Sequence, residues 1–234
     1  MIDGSTTTDL PDPDTVLRET DWASLECGFG DPHRVRAGLR DVLHPDPAVR
    51  REARQGLRGA FHPEAGQALP TTVPTATYLA GLFADPRAAE ALGLPDPDTL
   101  GRSMRATLLE MLGHYFLSAD DRTCASFGHG SNETALRRLR PAVHRVVTPL
   151  LDDEDHAVRH AAVFTTVSLV EHPHLAQHRA KLADHARRLL RESYRPDHRD
   201  VALAGLRTWG HDIDGLETEE DRERRLRLAI EPPF

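Results

Sequence analysis

Cysteine, lysine and aromatic residues are scarce in this chain of 234 residues. Cys27 and Cys124 are the only cysteines, too few for a disulfide framework and without the spacing of a metal site. No stretch approaches the roughly 18 consecutive apolar residues of a membrane span. The first residues contain neither a basic region nor an apolar run, so no signal peptide is expected. These absences exclude a disulfide scaffold and predict a globular protein of the cytoplasm, without a membrane partner.

The acidic excess is confined to the two ends of the chain. The formal net charge is −8, and residues 1–31 contribute eight acidic residues against one arginine. Residues 214–231 contribute seven acidic residues against four arginines, whereas the stretch between them carries a net charge of only +2. Lys181 is the single lysine, and this preference for arginine is typical of a GC-rich genome such as that of an actinobacterium. The charge therefore describes the ends and does not identify a partner.

The body of the chain has the pattern of consecutive helices. Apolar residues recur at helical spacing from Thr15 onward, and Gly28 and Gly30 are expected to end the first helix. Asp31 and Asp46 each precede a proline, which predicts two further helix starts. No stretch alternates apolar and polar residues between hairpin turns, so no strand is predicted. Further helices are predicted over 67–84, 99–117, 132–151, 155–171, 174–193, 197–210 and 217–230, with long connections over 85–98 and 118–131.

A short pattern, D-x-x-V-R-x-x-A, occurs twice. It begins at Asp46 and again at Asp155, and a degenerate third copy begins at Asp197. The pattern has a physical basis, since Asp caps a helix while Val and Ala one turn apart pack inward. Such repetition at separations of tens of residues is typical of solenoid proteins.

The pattern resembles the second helix of a HEAT repeat. The resemblance implies that Asp46, Arg50, Asp155 and Arg159 occupy a structural ladder in which Asp and Arg of neighbouring repeats pair. Residues 22–85 are also similar to a bacterial subset of HEAT proteins that combine a tryptophan helix, a glycine turn, a D-x-x-V-R helix, a histidine loop and a proline-containing helix. The corresponding residues are Trp22, Gly28, Gly30, His62 and Pro74.

The predicted fold is therefore an all-α, right-handed α-solenoid of four to five HEAT-like helical hairpins. Residues 1–14 are expected to form a disordered acidic tail. Residues 15–213 are expected to form the helical repeat domain. Residues 214–234 are expected to supply a C-terminal capping helix and tail.

An arginine stripe is the first candidate binding surface. Arg50, Arg54 and Arg58 follow one another at intervals of four residues, and Arg36 and Arg40 repeat this spacing on the preceding helix. A concave face that carried this stripe would bind phosphate groups or an acidic partner. The structural alternative is a solvated face on which the arginines pair with local acidic residues.

A tryptophan near the last repeat suggests a second type of site. Trp209 is followed three positions later by Asp212. Some DNA glycosylases that excise alkylated purines have a HEAT-like fold and use tryptophan and aspartate in a basic cleft, so the resemblance implies base contact by this pair. The alternative is that Trp209 belongs to the core, and the small basic excess of the body argues against a DNA-binding domain.

Two weaker chemical candidates involve histidine and cysteine. His156 and His160 have the spacing that lets two imidazoles share a zinc ion, with Asp155 beside them. Cys124 and His129 lie in the 118–131 connection, where a cysteine nucleophile would need a base held at hydrogen-bond distance. Neither spacing fixes a complete site, and no nucleotide-binding or hydrolase motif occurs. We therefore expect no metal, cofactor or catalytic residue.

The function predicted from the sequence is non-enzymatic recognition of a partner protein on the concave face. Bacterial HEAT proteins that resemble residues 20–85 often serve as adaptors or immunity proteins, and the resemblance implies such a role here. The alternative is a HEAT-like DNA-binding protein or alkylpurine DNA glycosylase with a concave Arg/Trp surface. The oligomeric state stays open.

Overall fold

Helices account for all the regular structure in the described part of the chain. The computed structural model describes residues 9–28, 30–60, 68–99, 101–128 and 130–230. Within these ranges there is no β-strand, and a single isolated bridge pairs Pro95 with Ser103. None of the described helices is both long enough and apolar enough to cross a bilayer. The helices are α1 (Pro13–Glu19), α2 (Pro32–Asp41), α3 (Pro47–Leu57), α4 (Thr72–Ala84), α5 (Ala89–Leu92), α6 (Met104–Leu117), α7 (Asp121–Phe127), α8 (Ser131–Val147), α9 (His156–Leu169), α10 (Arg179–Glu192), α11 (Pro196–Thr208) and α12 (Glu219–Ile230).

The helix starts that the sequence predicts at aspartate are confirmed. The carboxylate of Asp31 accepts a hydrogen bond from the backbone N–H of His33 at 2.8 Å, and Asp46 accepts one from Ala48 at the same distance. Each aspartate thereby satisfies a backbone donor that has no partner inside its own helix. Proline at the next position has no N–H to leave unpaired and holds the backbone angle that a helix needs.

The N-terminal region differs from the prediction. The helix expected from Thr15 begins at Pro13, because the carboxylate of Asp12 caps it. It ends at Glu19, so Trp22 lies in a separate 3₁₀ turn, Trp22–Ser24. Trp22 is only 3% exposed, and its indole N–H donates to the backbone oxygen of Leu17. Trp22 is therefore buried in the core from a short separate turn and does not belong to the helix that the sequence predicts. Residues 1–8 of the predicted tail lie outside the described residues.

The two predicted connections also contain helices. Residues 85–98 include the short helix α5. Residues 118–131, which we predicted to be a long loop, contain α7, and the carboxylate of Asp120 caps this helix by accepting from the N–H of Thr123 at 2.6 Å. A helix of seven residues makes only about two turns, which is too few for apolar residues to show a helical period.

Helices pack both on near neighbours in the chain and on more distant ones, since α4 also contacts α1 and α8. α2 packs on α3, α4 on α6, α8 on α9 and α10 on α11, and α6, α9 and α11 contact one another in that order. α6 and α9 run in the same direction, since Ser103 meets Asp155 at their beginnings while Thr165 donates to the backbone oxygen of Leu109 further along. α9 is buried along almost its whole length, which places it at the centre of the core.

α2 and α3 approach each other unusually closely. A Cβ atom added at Gly38 would lie 2.6 Å from the backbone oxygen of Ala53, and one added at Gly56 would lie 2.7 Å from the backbone oxygen of Arg34. Because only glycine avoids these overlaps, the two helices meet backbone to backbone. The groove described below is lined by residues of both helices.

Candidate functional site

The first D-x-x-V-R motif stabilises its own turn. Arg50 is 3% exposed and donates from Nη1 to the backbone oxygens of His44 and Pro45 at 2.7 and 2.8 Å. Its Nη2 donates to the backbone oxygen of Pro95 at 3.1 Å. Asp46 caps α3 and does not touch Arg50 with its carboxylate. Arg50 therefore binds carbonyl groups rather than a partner molecule.

The second copy has the same geometry. Arg159 donates from Nη1 to the backbone oxygens of Asp153 and Glu154 at 2.8 and 2.9 Å, while Asp155 caps α9. The carboxylate nearest to Arg159 belongs to Glu192, at 3.8 Å. The ladder of Asp–Arg pairs between repeats, which the resemblance implies, is thus absent from these contacts. The motif arginine instead binds the two carbonyl groups just before its own helix cap.

A third copy exists in a different register from the one predicted. α11 begins at Pro196, so its cap position is Arg195 and the residue four positions later is Arg199. Arg199 donates from Nη1 to the backbone oxygen of Ser193, two positions before the cap, as Arg50 and Arg159 do to the corresponding oxygens, and its second acceptor is the backbone oxygen of Leu190. Our alignment began at Asp197, two residues too late, because arginine replaces the aspartate at the cap.

Acidic residues neutralise the predicted arginine stripe. Arg54 Nη1 lies 2.5 Å from a carboxylate oxygen of Asp96 and 3.0 Å from one of Asp98, and Arg51 Nε lies 2.7 Å from Asp98. Asp96 is only 5% exposed, so this pair is shielded from water. The segment between α5 and α6 therefore covers the part of α3 that was predicted to face a partner.

The other arginines of the stripe have different surroundings from Arg54. Arg36 donates to the backbone oxygen of Leu17 at 3.2 Å, Arg40 pairs with the adjacent Asp41 at 2.6 Å, and Arg58 is exposed. Arg40 thus pairs with the local acid that the structural alternative named, and partner binding by the stripe stays a prediction. Helical spacing places side chains on a common face, but it does not show what packs against that face.

The contacts of Trp209 and Asp212 are local ones. The ring of Trp209 packs on its own helix, since a Cβ added at Gly205 would lie 3.1 Å from its Cη2 atom. Asp212 is exposed, and its carboxylate accepts the backbone N–H of Asp214 at 2.9 Å in a local turn. The core alternative considered for Trp209 matches its packing.

The imidazole rings of His156 and His160 are neighbours, with centroids 5.8 Å apart. His160 is directed to Glu192, with 3.2 Å between Nε2 and Oε2, whereas His156 is exposed. Cys124 is 3% exposed, and burial raises the pKa of its thiol although Arg137 acts in the opposite direction. A buried thiol with a raised pKa is a poor nucleophile near neutral pH. His129 lies outside the described residues.

A network of charged side chains joins α6 to the start of α11. Glu110 accepts hydrogen bonds from Arg102 Nη2 at 2.5 Å and from Arg195 Nη1 at 2.8 Å, and its second carboxylate oxygen also binds Arg195. Arg195 also pairs with Asp197 at 2.9 Å, and His198 Nε2 lies 3.7 Å from Glu110. Sequence analysis missed this network because its members lie 85 residues apart.

The donor atoms of Glu110, Asp197 and His198 lie within 4.8 Å of one another, which is close enough for a shared metal ion. Two guanidinium groups already occupy both oxygens of Glu110, however, and one of them bridges to Asp197. A divalent cation would have to displace Arg195 and would still face Arg102. The cluster therefore fits its own arginines better than a metal.

The same network keeps Glu110 ionised. Burial alone would raise the pKa of Glu110, but His198, Arg102 and Arg195 outweigh burial and hold the pKa well below its usual range. Such a carboxylate cannot exchange protons as a general acid or base near neutral pH. Beside it, the ring of Phe164 stacks on His198 and meets His114 edge-on, each with centroids 4.9 Å apart. This arrangement supports packing rather than catalysis.

An open groove between α2 and α3 has different properties. It has a volume of about 380 Å³. Its floor is made of small apolar residues, and Arg34, Asp41 and Glu52 stand at its rim. Arg34 pairs with Glu52 at 3.0 Å with both side chains largely exposed, so this pair contributes little stability and is free to exchange partners. The apolar lining residues are Ala37, Gly38, Ala48, Val49, Ala53 and Gly56.

No known family model matches the chain, and neither a curated protein nor a solved structure matches it.

Proposed function

We propose that this chain is a non-enzymatic binding protein of the cytoplasm that holds a segment of a partner protein in the groove between α2 and α3. We further propose that its helices form a right-handed α-solenoid of four to five HEAT-like hairpins. Contacts between α2 and α3, α4 and α6, α8 and α9, and α10 and α11 support four such hairpins. The repeated role of Arg50, Arg159 and Arg199 supports a common ancestry for the second helix of three pairs.

The groove is the observation that carries the binding proposal. Its floor consists of alanine, valine and glycine, which provide apolar area and allow close approach of another backbone. None of its lining side chains is a nucleophile, and its charged groups stand at the rim as ion pairs. An amphipathic helix that lays its apolar face into such a groove is a common mode of protein recognition.

The ion-pair network between α6 and the start of α11 supports the same proposal. Glu110 binds Arg102 and Arg195, and Asp197 binds Arg195. The charges of this cluster on α6 and α11 are therefore balanced within the chain. We therefore place the partner on the groove instead of on the surface formed by α6, α9 and α11. An adaptor or immunity role, favoured by the resemblance to bacterial HEAT proteins, is the form of the function that we propose.

The DNA-binding alternative receives no support from the contacts of its candidate residues. Arg50 and Arg54 are occupied by carbonyl and carboxylate groups, and Trp209 packs on α11. A sequence-independent DNA surface requires several arginines or lysines that are available to phosphates.

Site-specific photocrosslinking in the native host tests the proposal. A photoreactive p-benzoylphenylalanine is placed at Ala48 in the groove and, as a control, at Ala180, which is exposed on α10. We expect a discrete protein adduct from position 48 that is absent at position 180. The proposal fails if position 48 gives no protein adduct, or if both positions give the same adducts.

A further inference from the structure

Three arginines line a small cavity that is separate from the groove between α2 and α3. Its volume is about 80 Å³, and its lining includes Arg122 of α7, Arg207 of α11 and Arg225 of α12. Arg207 and Arg225 both donate to the carboxylate of Glu217, which lies between α11 and α12. Arg122 is exposed and has no carboxylate partner within the described residues. The cavity therefore brings together guanidinium groups that are only partly neutralised.

These arginines keep N–H donors for a further ligand. A guanidinium group has five N–H donors. Arg225 donates from Nε to Glu217 at 3.1 Å, Arg207 donates from Nη2 to the same carboxylate, and neither side chain makes another hydrogen bond to the described residues. The Arg207 side chain is 34% exposed and that of Arg225 is 51% exposed. A ligand that arrives from solvent can therefore reach the remaining donors.

Two aspartates also line the cavity, but other arginines neutralise them. Asp221 pairs with Arg199 at 2.6 Å, and Asp200 pairs with Arg224 at 2.9 Å. The Asp221 side chain is only 1% exposed, so its charge is directed to Arg199 inside the protein. Since neither Arg199 nor Arg224 lines the cavity, these two pairs leave the charge of the three cavity arginines unchanged.

Glu217 is the remaining carboxylate among the described residues that line the cavity. Arg222 also approaches Glu217, at 3.6 Å, but it pairs more closely with Glu219, at 2.7 Å. Glu217 therefore balances one of the three cavity arginines. The cavity retains two positive charges in excess, which predicts an affinity for an anion.

A phosphate monoester matches this excess in charge and in size. It carries a charge of about −1.5 to −2 near neutral pH and offers three acceptor oxygens, whereas a carboxylate carries only one negative charge. Arginine binds phosphate through pairs of parallel N–H donors. The volume of about 80 Å³ is far below the roughly 300–1,000 Å³ of a pocket that encloses a drug-sized molecule, so the cavity admits one small group.

We propose that this cavity binds the phosphate group of a phosphate monoester through the free donors of Arg122, Arg207 and Arg225. Its apolar lining residues then contact the carbon atoms next to the phosphate, and these residues are Leu203, Ala204 and Leu228. Glu219 and Glu220 have side chains that are 75% and 82% exposed at the start of α12, and they would repel a polyanion such as nucleic acid. A single phosphate group is therefore the ligand that this site fits.

Isothermal titration calorimetry of the full chain with inorganic phosphate at low ionic strength measures the binding. We expect a single phosphate to bind more tightly than chloride at matched ionic strength. Arg122→Gln should weaken phosphate binding roughly tenfold, because it removes a charged donor. Arg188→Gln is the matched control and should leave binding unchanged, since Arg188 is also exposed without a carboxylate partner in the described ranges but does not line the cavity.

Glu217→Gln should change phosphate binding in the opposite direction. This substitution removes the carboxylate that competes with phosphate for Arg207 and Arg225. We therefore expect phosphate to bind roughly two- to fivefold more tightly, the equivalent of one partly exposed charge interaction. A folded variant that binds phosphate more weakly would contradict the proposed site. Circular dichroism of each variant confirms that it is folded.

Two further titrants distinguish the source of the phosphate group. They are N-acetyl-O-phosphoserine amide and the same compound without phosphate. Tighter binding of the phosphoserine compound than of inorganic phosphate supports recognition of a phosphorylated side chain, whereas the reverse order supports a free phosphate ion. The inference is overturned if phosphate binds no more tightly than chloride, or if Arg122→Gln and Arg188→Gln bind it equally. Either result leaves the proposed function of the α2–α3 groove intact, because the crosslink from position 48 tests a different surface.

Discussion

Arg195, in the turn before α11, binds Glu110 in the middle of α6, with 2.8 Å between Nη1 and Oε2 across 85 positions of sequence. Arg195 also occupies the cap position that aspartate holds in the other two motif copies. Arg195, which departs from the repeat pattern, therefore forms a long-range ion pair between α6 and the start of α11. Both of these helices pack on α9.

The ion pair between Arg195 and Glu110 predicts a large loss of stability when the carboxylate of Glu110 is removed. Glu110→Gln leaves Arg102 and Arg195 without the charge that they share, and loss of one partner from a largely buried pair costs about 3 kcal/mol or more. Urea unfolding followed by circular dichroism measures the free energy of unfolding. Glu154→Gln, an exposed residue whose side chain makes no such tie, should change this energy by less than about 0.5 kcal/mol. Equal effects of the two substitutions would contradict the structural role.

The motif arginines give a second prediction. Arg50→Met removes donors from three carbonyl groups while keeping an apolar side chain of comparable length, and we expect a loss of roughly 1–3 kcal/mol in stability. Arg40→Met is the control, because Arg40 is exposed and surface pairs such as the one with the adjacent Asp41 contribute little stability. Chemical denaturation at matched pH compares them. If Arg40→Met costs as much as Arg50→Met, carbonyl binding is not what makes the motif arginine important.

Sequence reasoning succeeded where the relevant contacts are local. The helix starts at Asp31, Asp46 and Asp155 depend on hydrogen bonds to residues two positions away, so the sequence itself contains the signal. The all-helical class follows from the same periodicity and is confirmed in the described part of the chain.

Sequence reasoning failed where a contact depends on residues that are far apart in the sequence. The arginine stripe on α3 looked available because nothing in its own helix pairs with Arg54, and the acid that does so, Asp96, lies 42 positions away. The third motif copy was misaligned since its cap is arginine, although an arginine four residues after a helix start would have located it at Arg199. The network around Glu110 left no local pattern at all.

Buried histidines predict the dependence of stability on pH. Burial lowers the pKa of His144 to about 4, with His178 adding to the effect, and burial also lowers the pKa of His114, His160 and His185. A histidine with a lowered pKa binds protons more readily when unfolded. Its contribution to stability is therefore complete above the ordinary value of 6.5 and is lost as the pH falls toward the folded value. We expect the free energy of unfolding to decrease between pH 7 and pH 5.

Replacing one of these histidines measures its contribution to the pH dependence of stability. His144→Phe removes the largest of the four shifts that burial causes and should flatten the pH dependence between about 6.5 and 4. Glu171 acts in the opposite direction, since burial raises its pKa to about 7 and its contribution is lost as the pH rises. The comparison is therefore made between variant and parent at each pH. An unchanged slope in the variant would show that His144 does not control the titration.

The glycines between α2 and α3 connect stability to the groove. Gly38→Ala would place a Cβ 2.6 Å from the backbone oxygen of Ala53, which cannot move aside as a side chain would. The helices must separate, so we expect a loss of roughly 1–3 kcal/mol in stability, as for other overpacked sites. Separation also widens the groove and should lower the yield of the crosslink from position 48, because a bound segment would lose close packing. Gln55→Ala on the exposed side of α3 is the control for both measurements. Normal stability of Gly38→Ala would mean that the two backbones do not approach as described. An unchanged crosslink in a destabilised variant would place the partner away from the groove.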